Sequence, residues 1–271
     1  MIETLKILKK PMPFQPGNLT LWSNRYIAQN VLKKHLNGSI DSGTRKKITV
    51  NKTVQWINEL KPDSKRILDV GCGPGIYGVL LCQNECLYEG IDISPYQIEY
   101  AKIYNNIPNK TDYAVCDFRK WDSCKRYDVC LLLYGIYSFY KREERITFLK
   151  NIKKHLNDNG IVIIEVFTEK HYLTRTDSTD WRYVEKNGFW CDKPYLELNS
   201  FYKYEQESLI LIQAGVIRDS VQLWNSWISL FDKNSLIEEL LIAGFNKFEI
   251  FGTCYGSPYK EDSDVLCVYA S

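Results

Sequence analysis

The junction of Arg66-Ile67-Leu68-Asp69-Val70 with Gly71-Cys72-Gly73-Pro74-Gly75 constrains this chain more than any other stretch. Apolar positions interrupted only by Asp69 read as a short strand buried on both faces. Three glycines at alternate positions follow, and Ile76-Tyr77-Gly78-Val79-Leu80-Leu81 continues as a helix. Glycine lets the backbone turn sharply and touch a ligand, because no Cβ stands in the way. A strand, a glycine turn and a helix N-terminus together make a nucleotide-type site.

The downstream pattern extends that unit. Tyr88–Asp92, Thr111–Cys116, Asp128–Tyr134 and Ile161–Phe167 read as further strands. Tyr77–Gln83, a helix begun by Ser94-Pro95 and running through Tyr104, and amphipathic Glu143–Leu156 alternate with them. This alternation predicts an α/β fold with a doubly wound, parallel sheet. Two helices, Trp22–Leu36 and about Thr49–Leu60, come first and must pack on the sheet or over its ligand edge. After Phe167 the pattern changes to aromatic-rich alternating runs, Tyr195–Tyr204, Ser208–Ile217 and Ser220–Leu230, which read as an antiparallel insertion. A helix, Ser235–Ala243, and the strand pair Phe248–Phe251 and Val265–Tyr269 close the chain. The expected organisation is an N-terminal helical lid over 1–60, an α/β domain from 61–167 with 232–271, and an insertion over 168–231. That insertion covers the site or forms a dimer face, since alternating aromatic strands need cover.

The totals narrow the partners. With 35 basic and 33 acidic residues the net charge is +2, so no strong field favours nucleic acid or an anionic membrane. Aromatics at 14% point to a pocket or an interface as well as a core. The nine cysteines form no CxxC pair or Cys/His cluster, so no metal centre is expected. Cys72, Cys116, Cys130 and Cys267 read as buried free thiols of a reducing compartment. The first residues lack a signal-type apolar core and no apolar run reaches the ~18 residues of a membrane span, so a soluble cytoplasmic protein is expected.

The spacing of the carboxylates selects the ligand. A dinucleotide fingerprint asks for G-x-G-x-x-G; here the third glycine comes one place early and Asp69 stands two residues ahead of the first. Asp92 ends the second strand 21 positions after Gly71, where a carboxylate accepts both ribose hydroxyls. Asp117 ends the third strand, placed for an adenine amine, while the next backbone N–H reaches a ring nitrogen. Asp69 faces the turn, placed for a cationic group. One adenosine with a positively charged tail meets these demands better than NAD.

With those residues in order, the chain resembles the class I S-adenosylmethionine-dependent methyltransferases. The matching stretches are Leu68–Gly75, Gly90-Ile91-Asp92-Ile93-Ser94, Cys116-Asp117-Phe118, Tyr127-Asp128-Val129 leading to Tyr134, and Leu156-Asn157-Asp158-Asn159-Gly160. The resemblance implies a Rossmann-like, seven-stranded, mostly parallel sheet whose last strand is antiparallel. It implies S-adenosyl-L-methionine as methyl donor and S-adenosyl-L-homocysteine as product. Carried over, Asp69 and Gly71 hold the methionine moiety, Asp92 the ribose, and Asp117 with Phe118 the adenine. Cys72, Gly73 and Ile93 complete the cofactor set, and Leu133 and Tyr134 line the sulfonium and substrate. Arg45, in a turn just ahead of the sheet domain, is a candidate partner for the methionine carboxylate.

The acceptor is read by elimination. After strand four stands Leu133-Tyr134-Gly135-Ile136-Tyr137, without the Asn/Asp-Pro-Pro-Tyr/Phe of amide and nucleobase-amine methylators, and no Pro-Cys nucleophile is present. A nitrogen or oxygen of a small molecule is therefore expected to receive the methyl. Trp22, Tyr26, Tyr137, Phe189 and Trp190 are the candidate pocket residues. His171, the only histidine past strand five, and Tyr137 are the candidate catalytic groups. His35 and His155 read as helix-end residues without a role. The competing readings are an RNA or protein acceptor, a descendant that uses or binds the sulfonium without methylating, and a nicotinamide enzyme.

Overall fold

The computed structural model describes residues 9–22, 24–83 and 85–271. Helices α1 (Arg25–Leu36) and α2 (Lys47–Leu60) precede β1 (Arg66–Val70), α3 (Ile76–Leu81), β2 (Leu87–Asp92), α4 (Pro95–Tyr104), β3 (Thr111–Val115), β4 (Tyr127–Leu132), α5 (Arg142–His155) and β5 (Leu156–Phe167). Strands β6 (Ser178–Val184), β7 (Tyr195–Tyr204), β8 (Leu209–Ile217) and β9 (Val221–Ser229) follow, then α6 (Lys233–Ile242), β10 (Phe248–Phe251) and β11 (Val265–Ala270).

One sheet has seven strands in the order β10-β11-β5-β4-β1-β2-β3. Strands β1 to β5 pair in parallel, and β11 lies antiparallel to β5, as the resemblance implied. Period-two alternation divides its residues between two cores. Leu68, Cys130 and Ile164 pack on one face with Phe148 of α5 and Leu240 of α6. Their neighbours Ile67, Val129 and Ile163 pack on the other with Ile57 of α2 and Leu81 of α3. Because β1 has β2 on one side and β4 on the other, the connections diverge at its carboxyl end and open a crevice there.

The insertion is a second, four-stranded antiparallel sheet ordered β6-β7-β8-β9. It packs through Phe201, Ile210 and Ile228 onto Phe167 and Val265, and through Tyr195, Ala214 and Val216 onto Ile27 of α1. The segment ahead of α1 runs along β9, where the Leu19 N–H donates to the Leu223 carbonyl at 2.9 Å. Two details depart from expectation. Residues 157–160, which the sequence reads as a turn between the helix ending at Leu156 and the strand starting at Ile161, lie within β5, where the register with β4 shifts between Tyr127 and Val129. Cys267 is not a free thiol but is joined to Cys254 in a disulfide, the strand–loop contact bringing their Cα atoms to 5.5 Å. Among the described residues no helix is long and apolar enough to cross a membrane.

Candidate functional site

A cavity of about 640 Å³ opens at the carboxyl ends of the parallel strands. The ends of β1 to β4 contribute to its wall: Val70 and Gly71 from β1, Asp92 and Ile93 from β2, Asp117 and Phe118 after β3, Leu133 and Tyr134 after β4. Gly71 and Gly73 have φ of +73° and +54°, a left-handed backbone that disfavours any Cβ. A side chain at Gly71 would also come within 3.0 Å of Ile136 and one at Gly73 within 3.1 Å of the His35 ring.

Asp92 sits beneath that turn with one oxygen accepting the Gly73 N–H at 2.9 Å and the other the Ser94 N–H at 2.8 Å. Burial pushes its pKa up while these two N–H donors oppose the rise. A carboxylate has about four acceptor positions, so two remain for the cavity. Asp117 also lines the cavity, but its carboxylate is held by Arg119 Nε at 3.0 Å and Nη2 at 2.6 Å, which keeps its pKa low. An adenine amine has to share that carboxylate with Arg119.

Several expected site residues are turned elsewhere. Asp69 does not reach the cavity wall: it is fully buried under the turn and accepts a hydrogen bond from the Tyr88 hydroxyl. Burial lifts its pKa to about 7. Cys72 packs into the core with its thiol against the Gly73 carbonyl. Arg45 binds Glu165, with Nε 3.1 Å and Nη2 2.5 Å from the same oxygen, because burial demands a counter-charge for both partners. The second Glu165 oxygen accepts the Tyr134 N–H at 2.6 Å, holding Tyr134 at a left-handed φ of 55°, and the Arg45 guanidinium lies over the Tyr134 ring.

The acceptor-side candidates divide as well. Trp22 and Phe189 line the cavity. Tyr137 does not: its hydroxyl donates to Glu239, which Arg145 also binds, so the group is a buried structural triad. The Tyr26 hydroxyl donates to the Gly188 carbonyl and joins α1 to the insertion. Trp190 is buried against Trp224. His171 packs tilted against Phe167 and edge-on to Tyr172, outside the cavity wall.

Sequence reasoning missed His35, Gln97 and the Trp224–Trp227 stretch, all of which line the cavity. His35 is wedged where the ring fills the space above both Gly43 and Gly73, with Nδ1 2.8 Å from Thr44 Oγ1. Its place in the last turn of a helix expected to cover the ligand edge was the available signal. Burial lowers its pKa from 6.5 to about 4, so the ring is neutral near pH 7. As pH falls, the unfolded chain takes up this proton first. The stability is complete above the unfolded value of 6.5 and is lost toward pH 4, by about 3 kcal/mol. His35→Gln should flatten that loss, read from urea unfolding at neutral and acid pH; an unchanged acid sensitivity would count against the buried neutral ring.

Gln97, on the first turn of α4, is the other finding. Its Nε2 donates to the Ala28 carbonyl of α1 at 3.4 Å, which fixes the amide orientation. Its Oε1 is, among the described residues, the buried side-chain polar atom left without a partner. A buried acceptor without a donor is costly, so this atom calls for a donor from a bound molecule.

A family described as a methyltransferase domain matches residues 46–249, from the loop ahead of α2 into β10. The chain belongs to that methyltransferase family. S-adenosylmethionine is the cofactor that goes with membership, and the site fits it. Gly71 brings backbone to the cavity wall at a position where a Cβ would crowd Ile136, Asp92 has two free acceptor positions, and Gln97 offers an unmet acceptor, while Gly73 is covered by the His35 ring. Ribosomal protein L11 methyltransferase from Campylobacter jejuni is 27% identical over 157 residues, 58% of this chain and 52% of that protein. The chain thus spans about half the length of the curated relatives it matches. The methyltransferase CcbJ from Streptomyces caelestis superposes with a TM-score of 0.67 at 13% identity, covering 88% of this chain and 94% of that one. CalS10, an amino pentose methyltransferase from Micromonospora echinaspora, gives 0.60 at 16% identity over 89% and 96%. At these identities the likeness to the two structures is one of fold.

Proposed function

We propose that this protein moves a methyl group from S-adenosylmethionine to a nitrogen or oxygen of a small molecule held between α1 and β9. The observation that carries this reading is the double lining of one cavity. Its floor is Gly71 with Asp92 and Asp117, and its cover is Trp22, Phe189, Trp224 and Trp227. Aromatic walls of this kind hold a planar or ring-shaped molecule and exclude water. The amino pentose named for CalS10 is one small acceptor handled on this fold, which supports the class without naming the molecule.

Bound S-adenosylmethionine supplies an electrophilic methyl on a sulfonium. The chain's own contribution is alignment of a nucleophile with that carbon, the main source of acceleration in an in-line displacement. Asp92 anchors the ribose end. Leu133 and left-handed Tyr134, held by Glu165, present an apolar wall where the expected sulfonium lies. Among the described residues no carboxylate lines the α1 and β9 side of the cavity, where Lys34 is the charged group and His35 is neutral, so an amine is favoured in its unprotonated, nucleophilic form.

The test is incubation of the full chain with methyl-labelled donor and a fractionated metabolite extract. Label in a low-molecular-weight product supports the reading. Label that follows protein or RNA instead, and is lost after protease or nuclease treatment, would replace it with the macromolecular acceptor that the ribosomal relative's name raises.

A further inference from the structure

Among the described residues, the four-stranded sheet has one covered edge and one bare edge. Along β9, Asn18 accepts the Leu223 N–H at 2.6 Å and donates to the Val221 carbonyl at 3.1 Å, so the segment ahead of α1 occupies that side. Among the described residues strand β6 pairs only with β7, from Ser178↔Phe201 to Val184↔Tyr195, and every residue of it except Val184 is exposed. Trp181 and Tyr183 are 68% and 64% exposed. An open strand edge presents unpaired N–H and C=O groups, and chains that stay monomeric blunt such edges. Here no proline and no bulge interrupts β6, and its two charges, Asp180 and Arg182, are of opposite sign, so they repel another strand only in the wrong register.

We propose that β6 is the dimer interface of this protein, with two copies joined edge to edge about a two-fold axis at Trp181. The register follows from the side chains. A two-fold axis perpendicular to an antiparallel sheet keeps each residue on its own face, so the residue on the axis lies opposite its own copy. An axis at position 180 would set two Asp180 carboxylates against each other, and one at 182 two Arg182 guanidinium groups. Like charges directly opposite are destabilising. With the axis at Trp181, each Asp180 lies opposite Arg182 of the partner subunit, twice over. Trp181 then faces Trp181 of the partner subunit, an aromatic cross-strand pair, and Tyr183 faces Thr179 of the partner subunit.

Both faces are prepared for this. Arg182 is already held extended by Glu197, with contacts of 3.0–3.1 Å, and a guanidinium has donors left for a second carboxylate. On the opposite face Trp181 and Tyr183 stand beside Leu198 and Leu196 of β7, both half-buried. Joining two copies extends this apolar strip across an eight-stranded sheet. The same sheet carries Trp224 and Trp227 into the cavity wall through β9, so pairing at β6 leaves the cavity edge clear.

Sedimentation velocity of the full chain tests this at micromolar concentration. The wild type should sediment at twice its 31.8 kDa mass. Asp180→Arg, which disturbs only an exposed carboxylate near Asn199, should sediment as a monomer with unchanged circular dichroism. Arg182→Asp should do the same, and an equimolar mixture of the two variants should recover the dimer, because their charges are again opposite. A monomeric wild type overturns the proposal, and so does an Asp180→Arg protein that remains dimeric. A mixture of folded variants that stays monomeric overturns the register. Asp180→Arg alone decides the matter where Arg182→Asp, facing buried Glu197, fails to fold. Lys10 is tied to Asp177 at 2.7 Å, beside the start of β6, so residues 1–8 are the rival occupant. A monomer that dimerises only when those residues are deleted assigns the edge to them and overturns the proposal for the native chain.

Discussion

Asp92→Ala is expected to weaken S-adenosylmethionine binding by about 100-fold, since two charge-assisted hydrogen bonds at ~1.5 kcal/mol each are lost. The carboxylate does two tasks at once. It ties the Gly73 and Ser94 N–H groups, which sets the turn, and it keeps two acceptor positions toward the cavity. Removing it therefore frees the turn as well as the ribose anchor. Asp92→Asn should fall between, because one acceptor oxygen survives while the amide N–H₂ opposes one of the two backbone donors. Calorimetric titration with the donor reads both variants, alongside circular dichroism. An affinity for Asp92→Ala within a few-fold of the wild type would sink the assignment.

Arg45→Met should lower the stability by about 3–5 kcal/mol, because it strands the Glu165 carboxylate in the interior. Only 5% of that carboxylate side chain is accessible, against 15% for the Arg45 side chain. Glu165 would then keep only the Tyr134 N–H as partner, and the cation over the Tyr134 ring would be gone. The loss should appear as a lower urea midpoint with an unchanged slope. A role for Arg45 on the methionine carboxylate makes the opposite prediction: an unchanged midpoint and a large drop in donor affinity. That outcome would return Arg45 to the cofactor.

The two variants show why the site was unevenly legible. Asp92 lies on the cavity wall where the sequence put it because its place depends on local facts: the strand period, the glycine turn and a fixed separation along one β-α-β unit. The same facts located Gly71, Ile93, Asp117, Phe118, Leu133 and Tyr134, all of which line the cavity. Arg45 is held away from the cavity wall by a partner 120 residues away, on a strand whose stretch 161–167 reads as an apolar run apart from that glutamate. Tyr137 is held in the core in the same way, its acceptor Glu239 being 102 residues away on α6. In both cases a polar group that looked available was claimed by a buried counterpart.

From the chain alone came the doubly wound sheet, the antiparallel insertion, the glycine turn and the carboxylate at the end of β2. Each follows from periodicity and backbone sterics over a few neighbouring residues. Tertiary structure decided which polar side chains face the cavity. Asp69 turned under to Tyr88, Arg45 to Glu165 and Tyr137 to Glu239, whereas His35, Gln97 and Trp224 came to the cavity wall. The reason is desolvation: a charged or hydrogen-bonding group taken out of water settles where a partner meets it, and that partner is chosen by packing across the whole fold.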